Sequence, residues 1–265
     1  LAVDGNSLAH RGYHAYAGRR DDGDLVGAGL YGFLALLAAV VDIVRPASTV
    51  IGFDCRKRSV RKEAWPAYKG QRPDKPDALD ALLDEIPLAL DALGASAEDA
   101  NRRCVVATSD RDAFSLVSDA TSVLRIRSGM HRAQRMDTTR YRRELGIAPG
   151  QYTEFAALRG DTSDNLPGIN GIGPKRAKDL LNRFETVEQA VADPMGCRSV
   201  LGPEVGQVLI DDLASEESVF HRNIDLMTIH RHLGVDLDAG VAATPTATIE
   251  SYLRGRRLGG RVERM

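Results

Sequence analysis

Apolar spacing changes along the chain, and each change marks an element. Val3 lies in a short apolar stretch that ends in an acid, Asp4, and reads as a brief buried strand. From Leu25 to Val44 the apolar residues Leu30, Phe33, Leu34, Leu37, Val40, Val41 and Val44 recur at helical spacing and predict a long helix. Ser48 to Phe53 is a β-branched apolar run, and it too ends in an acid, Asp54. Residues 56–76 are basic and broken by Pro66, Pro73 and Pro76, which predicts loop or irregular helix. Asp77 to Leu93 is amphipathic, with Leu79, Leu82, Leu83, Ile86 and Leu90 on one side. A third apolar run, Cys104 to Thr108, ends at Ser109-Asp110-Arg111-Asp112, after which Phe114, Leu116 and Val117 begin a short helix. Ser122 to Ile126 is a fourth strand.

Strands alternating with helices predict an α/β fold: a mostly parallel central sheet with helices on both faces. After about Thr138 the pattern becomes short helices joined by Gly and Pro turns, with no convincing strand. We therefore expect an α/β core over 1–137 and an all-helical subdomain over 138–265, with a frayed arginine-rich tail. The best bilayer-spanning candidate, Gly27 to Val44, is interrupted by Tyr31, Gly32 and Asp42 and reads as a core helix. Leu1-Ala2-Val3 runs straight into Asp4 and gives no secretory signal. The three cysteines (Cys55, Cys104, Cys197) are scattered, which argues against disulfides and zinc and for a cytoplasmic protein. Thirty-five basic and 37 acidic residues leave a net charge of −2, so any polyanion contact must come from local clusters. Nothing in the sequence calls for an oligomer, and a monomer is expected.

The strand-end acids are the first candidate chemistry. In an open parallel sheet, ligands sit at the carboxyl ends of strands. Three successive strands end in aspartate: Asp4, Asp54, and Asp110 with Asp112. Asp161 and Asp164 follow a helix around Tyr152 to Leu158. A single aspartate after a strand is ordinarily a turn former or helix N-cap. Gathered carboxylates repel, and they persist together when a cation neutralises them. Hard oxygen donors select Mg²⁺ or Mn²⁺, and two such ions can drive a phosphodiester displacement.

Leu166-Pro167-Gly168-Ile169-Asn170-Gly171-Ile172-Gly173-Pro174-Lys175 is the most specific string. Gly171 and Gly173 allow a tight turn, and Pro174 suits a first helical position. Lys175, Arg176 and Lys178 add charge on the helix start, where free amides attract phosphate. This is a helix–hairpin–helix pattern, expected over 152–183, that grips a DNA backbone without reading bases. Upstream, Arg56, Lys57, Arg58, Arg61 and Lys62, then Lys69 and Arg72, follow Asp54 closely enough to steer phosphate. Tyr68 has two readings, stacking on a base or packing against the sheet.

Taken in order, Val3-Asp4-Gly5-Asn6-Ser7, Phe53-Asp54, Tyr68-Lys69-Gly70-Gln71-Arg72, Thr108-Ser109-Asp110-Arg111-Asp112 and Gly160-Asp161-Thr162-Ser163-Asp164-Asn165-Leu166-Pro167-Gly168 resemble the bacterial 5′–3′ exonuclease and flap endonuclease family. The resemblance runs to at least Leu226 and implies a freestanding member, with no polymerase after Met265. It implies a PIN-like nuclease core with a helix–hairpin–helix (H3TH) subdomain. It implies a structure-selective, divalent-metal nuclease acting on DNA 5′ ends, flaps or nicks, RNA primers among them, with a DNA polymerase as a partner. Asp4, Asp54, Asp110, Asp112, Asp161 and Asp164 match metal-site acids, taking two or more Mg²⁺ or Mn²⁺. Lys69 and Arg72 match basic residues of a helical arch over the scissile phosphate, with Tyr68 beside them. Arg11 falls where the family places a basic residue near the active site. Gly171, Gly173, Lys175, Arg176 and Lys178 match the duplex-gripping hairpin, which the family uses with K⁺.

One departure matters. The family carries a Glu-x-Asp-Asp motif between arch and third strand, and here Leu93-Gly94-Ala95 leads almost directly to Ser96-Ala97-Glu98-Asp99. Glu98-Asp99 stands too close to Cys104 to be that motif. Two readings stay open: the sequence is incomplete there, which is preferred, or the segment is deleted. Deletion would remove ligands from one metal and leave a non-catalytic DNA-binding homologue.

Overall fold

The computed structural model describes residues 1–16, 23–46, 49–54, 59–93, 104–127 and 129–229. Glu98, Asp99, Cys55 and the basic residues Arg56, Lys57 and Arg58 lie outside them, as does the tail beyond 229. The first half runs β1 (Ala2–Asp4), α1 (Gly5–Tyr16), α2 (Leu25–Val44), β2 (Val50–Gly52), α3 (Val60–Ala64), α4 (Asp77–Leu93), β3 (Cys104–Thr108), a 3-10 turn (Asp112–Leu116), β4 (Thr121–Arg127) and β5 (Gly129–Met136). The sheet order is β2-β1-β3-β4-β5, with every pairing parallel except that of β4 with β5. From β1 the chain goes outward to β2 on one side and later to β3 on the other. The crevice between the ends of β1 and β3 is therefore the switch point where such sheets bind ligands.

Period-2 alternation sorts the sheet's side chains to two faces. Val3, Val105, Ala107, Leu124 and Ile126 pack with Leu8, Leu30, Phe33, Leu79, Leu82 and Ile86 from α1, α2 and α4. On the other face Val123 and Met136 join Phe114, Tyr141, Tyr152, Phe155 and Leu158. That second cluster continues through the helices of the C-terminal half, so these helices share a core with the sheet. They are α5 (Thr138–Leu145), α6 (Tyr152–Arg159), α7 (Pro174–Arg183), α8 (Val187–Ala192), α9 (Pro194–Leu201), α10 (Pro203–Ala214) and α11 (Val219–Met227). Two two-residue strands, β6 (Gly160–Asp161) and β7 (Leu166–Pro167), pair antiparallel between α6 and α7, where no strand was expected.

By length and composition α2 could cross a membrane, with mean hydropathy 2.0. Its glycines show what it packs on instead. A Cβ on Gly12 of α1 would lie 2.4 Å from the Phe33 nitrogen, and one on Gly32 would lie 2.5 Å from the Gly12 oxygen. The two helix backbones touch there, and no side chain fits between them. Gly12→Val should therefore lower unfolding stability by about 3 kcal/mol, as overpacking without room to relax does. Urea denaturation checks this, and a loss below about 1 kcal/mol would show that the crossing can open.

Candidate functional site

Asp4 ends β1 and starts α1. Its Oδ1 accepts from the Ser7 N–H at 2.9 Å, and its Oδ2 accepts from the Thr108 hydroxyl at 2.7 Å. Thr108 ends β3, and its Oγ1 also accepts the Asp110 N–H at 3.0 Å. The carboxyl ends of the two strands are thus joined through one hydroxyl. Ser7 and Ser109 close the same junction, with a hydroxyl–hydroxyl contact and the Ser109 N–H donating to Ser7 Oγ at 3.1 Å. Asp110 Oδ1 accepts the Asp112 N–H at 2.9 Å, which starts the 3-10 turn.

Asp161 and Asp164 arrive from the other half of the chain. Gly160, at φ 75°, and Gly168 press backbone to backbone: a Cβ on Gly160 would lie 2.3 Å from the Gly168 nitrogen. This closes the loop 160–168, whose acids lie close enough to Asp112 to act on it. Asp161 Oδ1 accepts from the Ser163 N–H at 2.8 Å and the Ser163 hydroxyl at 2.6 Å. Asp164 meets the basic segment: Arg72 Nη2 at 2.6 Å, Lys69 Nζ at 3.6 Å and the Tyr68 hydroxyl at 2.9 Å.

Asp112 feels the other three acids. Burial, then Asp110, Asp164 and Asp161, push the Asp112 carboxyl up to about 7, against an opposing pull from Arg61. Arg61, read in the sequence only as part of a basic run, reaches the site: its Nη1 donates to Tyr68 Oη at 3.1 Å, and against burial, which pulls its pKa down, Tyr68 and then Asp112 and Asp110 raise it. On α1, His10 lies in the field of Lys75, His14 and Arg72, and burial with these charges lowers its pKa.

The other expected residues fall at different distances from this group. Asp54, at the end of β2, is exposed and donates its backbone N–H to Asn6 Oδ1 at 3.1 Å. Arg11 is half-buried on α1, and burial lowers its guanidinium pKa. Tyr68 corrects the stacking reading. It is 4% exposed, packed into the second core cluster with its hydroxyl on Asp164, so its ring is covered by protein. At the hairpin, Gly171 takes φ 79° and Arg176 Nη1 donates to its carbonyl at 2.8 Å. Gly173 precedes Pro174 with no side-chain cap, leaving amides of the first turn of α7 open. Lys175 is exposed there and pairs with Asp179 at 2.6 Å.

The donor set around Asp112 is carboxylate oxygen, which suits a hard divalent cation, and such a cation would offset the burial and the repulsion that together lift Asp112. Among the described residues, no three Asp, Glu, His or Cys side chains close into a cage around one point.

Fold and site together define an α/β protein with acids at its sheet's switch point and a helix–hairpin–helix module beside them. Family models for the 5′-3′ exonuclease N-terminal resolvase-like domain and C-terminal SAM fold match residues 1–97 and 147–248. The chain belongs to this 5′–3′ exonuclease family. DNA polymerase I of Mycobacterium tuberculosis is 33% identical over 236 residues, which is 81% of this chain and 26% of that protein. The chain thus spans about a quarter of the length of the polymerases it matches. Among solved structures, T5 5′-exonuclease with bound zinc ions shares the fold at TM-score 0.60, with 17% identity over 97% of each chain. The catalytic core of Rad2 in complex with a DNA substrate shares it at TM-score 0.57, with 14% identity over 97% of this chain and 86% of that one.

Proposed function

We propose that the chain is a divalent-metal-dependent 5′–3′ exonuclease and flap endonuclease, acting in the cytoplasm on DNA 5′ ends during primer removal and repair. The observation that carries this is that Asp112, just past the end of β3, lies in the field of Asp110, Asp161 and Asp164, with Arg61 near Asp112 and Lys69 and Arg72 paired to Asp164. Acids that repel and cations suited to phosphate thus meet in one place, with Lys69 and Arg72 paired to Asp164. Divalent cations at the acids would supply an ionised water and a Lewis acid for the phosphodiester. Lys69 and Arg72 would hold the phosphate and stabilise the charge that grows on it. The open first turn of α7, with Lys175 and Arg176, would hold the duplex backbone.

The two readings of the Ala95–Ser96 junction separate in one experiment. A 5′-flapped duplex is incubated with the protein in Mn²⁺ and in EDTA. The nuclease reading expects binding in both and product in Mn²⁺ alone. Binding with no product at any Mn²⁺ concentration would favour a non-catalytic homologue.

A further inference from the structure

We propose that Asp164 is a positioning residue: its carboxylate gathers Lys69, Arg72 and Tyr68 into a closed set, and a substrate phosphate engages the two cations only by displacing it. The inference rests on the nuclease reading above and deepens it. Asp161 and Asp164 sit three residues apart in one loop, yet their partners differ in kind. Asp161 accepts from the neutral donors of Ser163. Asp164 places Oδ1 on Arg72 at 2.6 Å, and Oδ2 on the Tyr68 hydroxyl at 2.9 Å with Lys69 at 3.6 Å. Each carboxylate oxygen of Asp164 is thus engaged by a cation or a hydroxyl of the basic segment. A cation at Asp164 would have to compete with Lys69 and Arg72 for the same lone pairs.

The backbone argues that only side-chain ends need to move. The Lys69 N–H donates to the Asp164 carbonyl at 3.0 Å, Asn165 Nδ2 to the Ala67 carbonyl at 2.8 Å, and Arg72 Nε to the Ser163 carbonyl at 3.2 Å. Gln71 Nε2 donates to the Thr162 carbonyl. These ties bind segments 67–72 and 162–165 whatever the carboxylate does. Lys69 takes φ 55°, a conformation that L-residues other than Asn and Asp rarely adopt, and the ties on either side hold it there. Exposure runs the same way: the Asp164 side chain is 13% exposed, against 51% for Arg72 and 29% for Lys69. The acceptor is fixed inside, and the cations end toward solvent. Arg72 gives Asp164 only Nη2, its Nε staying on the Ser163 carbonyl, so a phosphate oxygen can take that one donor in the carboxylate's place.

The test compares Asp164→Asn with Asp161→Asn, which removes the same charge from the same loop. Both are studied in EDTA, without cleavage. Trace acylation with acetic anhydride, read by mass spectrometry, should modify Lys69 about threefold faster in Asp164→Asn and leave it unchanged in Asp161→Asn, because only the first frees the amine from its counter-ion. Anisotropy with a 5′-flapped duplex should show Asp164→Asn binding about tenfold tighter, with a salt dependence steeper by about one to two cations, and Asp161→Asn within about threefold of the parent. Matching behaviour of the two variants in both measurements would overturn the proposal. A parent protein that binds no flapped duplex would overturn the nuclease reading instead, and Lys69 acylation would still decide this one. Should Asp164→Asn fail to fold by circular dichroism, Tyr68→Phe removes one donor from the same carboxylate. With Oδ2 left to Lys69 alone, Lys69 acylation should fall about twofold, and no fall would sink the proposal.

Discussion

Asp161→Ala should fold, bind a 5′-flapped duplex in EDTA, and cleave at least about a thousandfold more slowly in Mn²⁺. The bland account of Asp161 is structural, since its Oδ1 caps the turn through the Ser163 N–H and hydroxyl. Losing such a cap costs about 1 kcal/mol of stability. A thousandfold rate loss is about 4 kcal/mol of transition-state free energy, far beyond what a frayed turn explains. Ser163→Ala separates the two accounts, because it removes the hydroxyl that Asp161 accepts and keeps the carboxylate. Its cleavage rate should stay within about tenfold of the parent, since orientation alone is loosened. Single-turnover rates and anisotropy measure both variants. Near-parental cleavage by Asp161→Ala would refute the assignment of this acid to the reaction.

The parts of the fold that spacing made legible are those with strong apolar periodicity. Helices α2 and α4 and strands β3 and β4 follow from their apolar positions. Helix α1 did not, because its buried residues include Gly5, Ala9 and Gly12 beside Leu8 and Tyr13. Small residues chosen for close backbone approach carry little hydrophobic signal. Strand β5, GMHRAQRM, is an edge strand and reads as polar, with Met136 in the core and Arg135 Nε on the Ser122 hydroxyl at 2.9 Å. At the site, the acids stood out because they stand at or follow the ends of strands or a helix. Their partners did not, since Tyr68 and Asp164 are 96 residues apart and only the packing of the two halves joins them. Arg61 was indistinguishable from its basic neighbours until Tyr68 and the acids gave it a direction.

Asp112→Asn should stabilise the metal-free protein at pH 8 and abolish the stabilisation that Mg²⁺ gives the parent. Burial, and then Asp110, Asp164 and Asp161, raise the Asp112 carboxyl from 3.8 to about 7. Between these values the folded state holds a proton that the unfolded chain has released. Stability therefore falls as pH rises through that window, and the loss is complete above about 7. The interval corresponds to about 4 kcal/mol as an upper order of magnitude, because a carboxylate forced to ionise there keeps its repulsion and its desolvation cost. Asparagine has nearly the same shape and no charge. The turn survives, since it is the backbone N–H of residue 112 that donates to Asp110 Oδ1. In EDTA the gain should be large at pH 8 and small at pH 5. Mg²⁺ should reverse the order. A bound cation offsets the repulsion in the parent, and its affinity rises with pH as Asp112 gives up its proton. The variant lacks a ligand and should show little shift. Urea denaturation at pH 5 and pH 8, in EDTA and in Mg²⁺, measures these differences. Most substitutions at half-buried positions destabilise, so a gain at pH 8 in EDTA would be hard to explain without the repulsion. A loss there would mean that Asp112 is held by partners that want it charged, and that the acids do not form one electrostatic group.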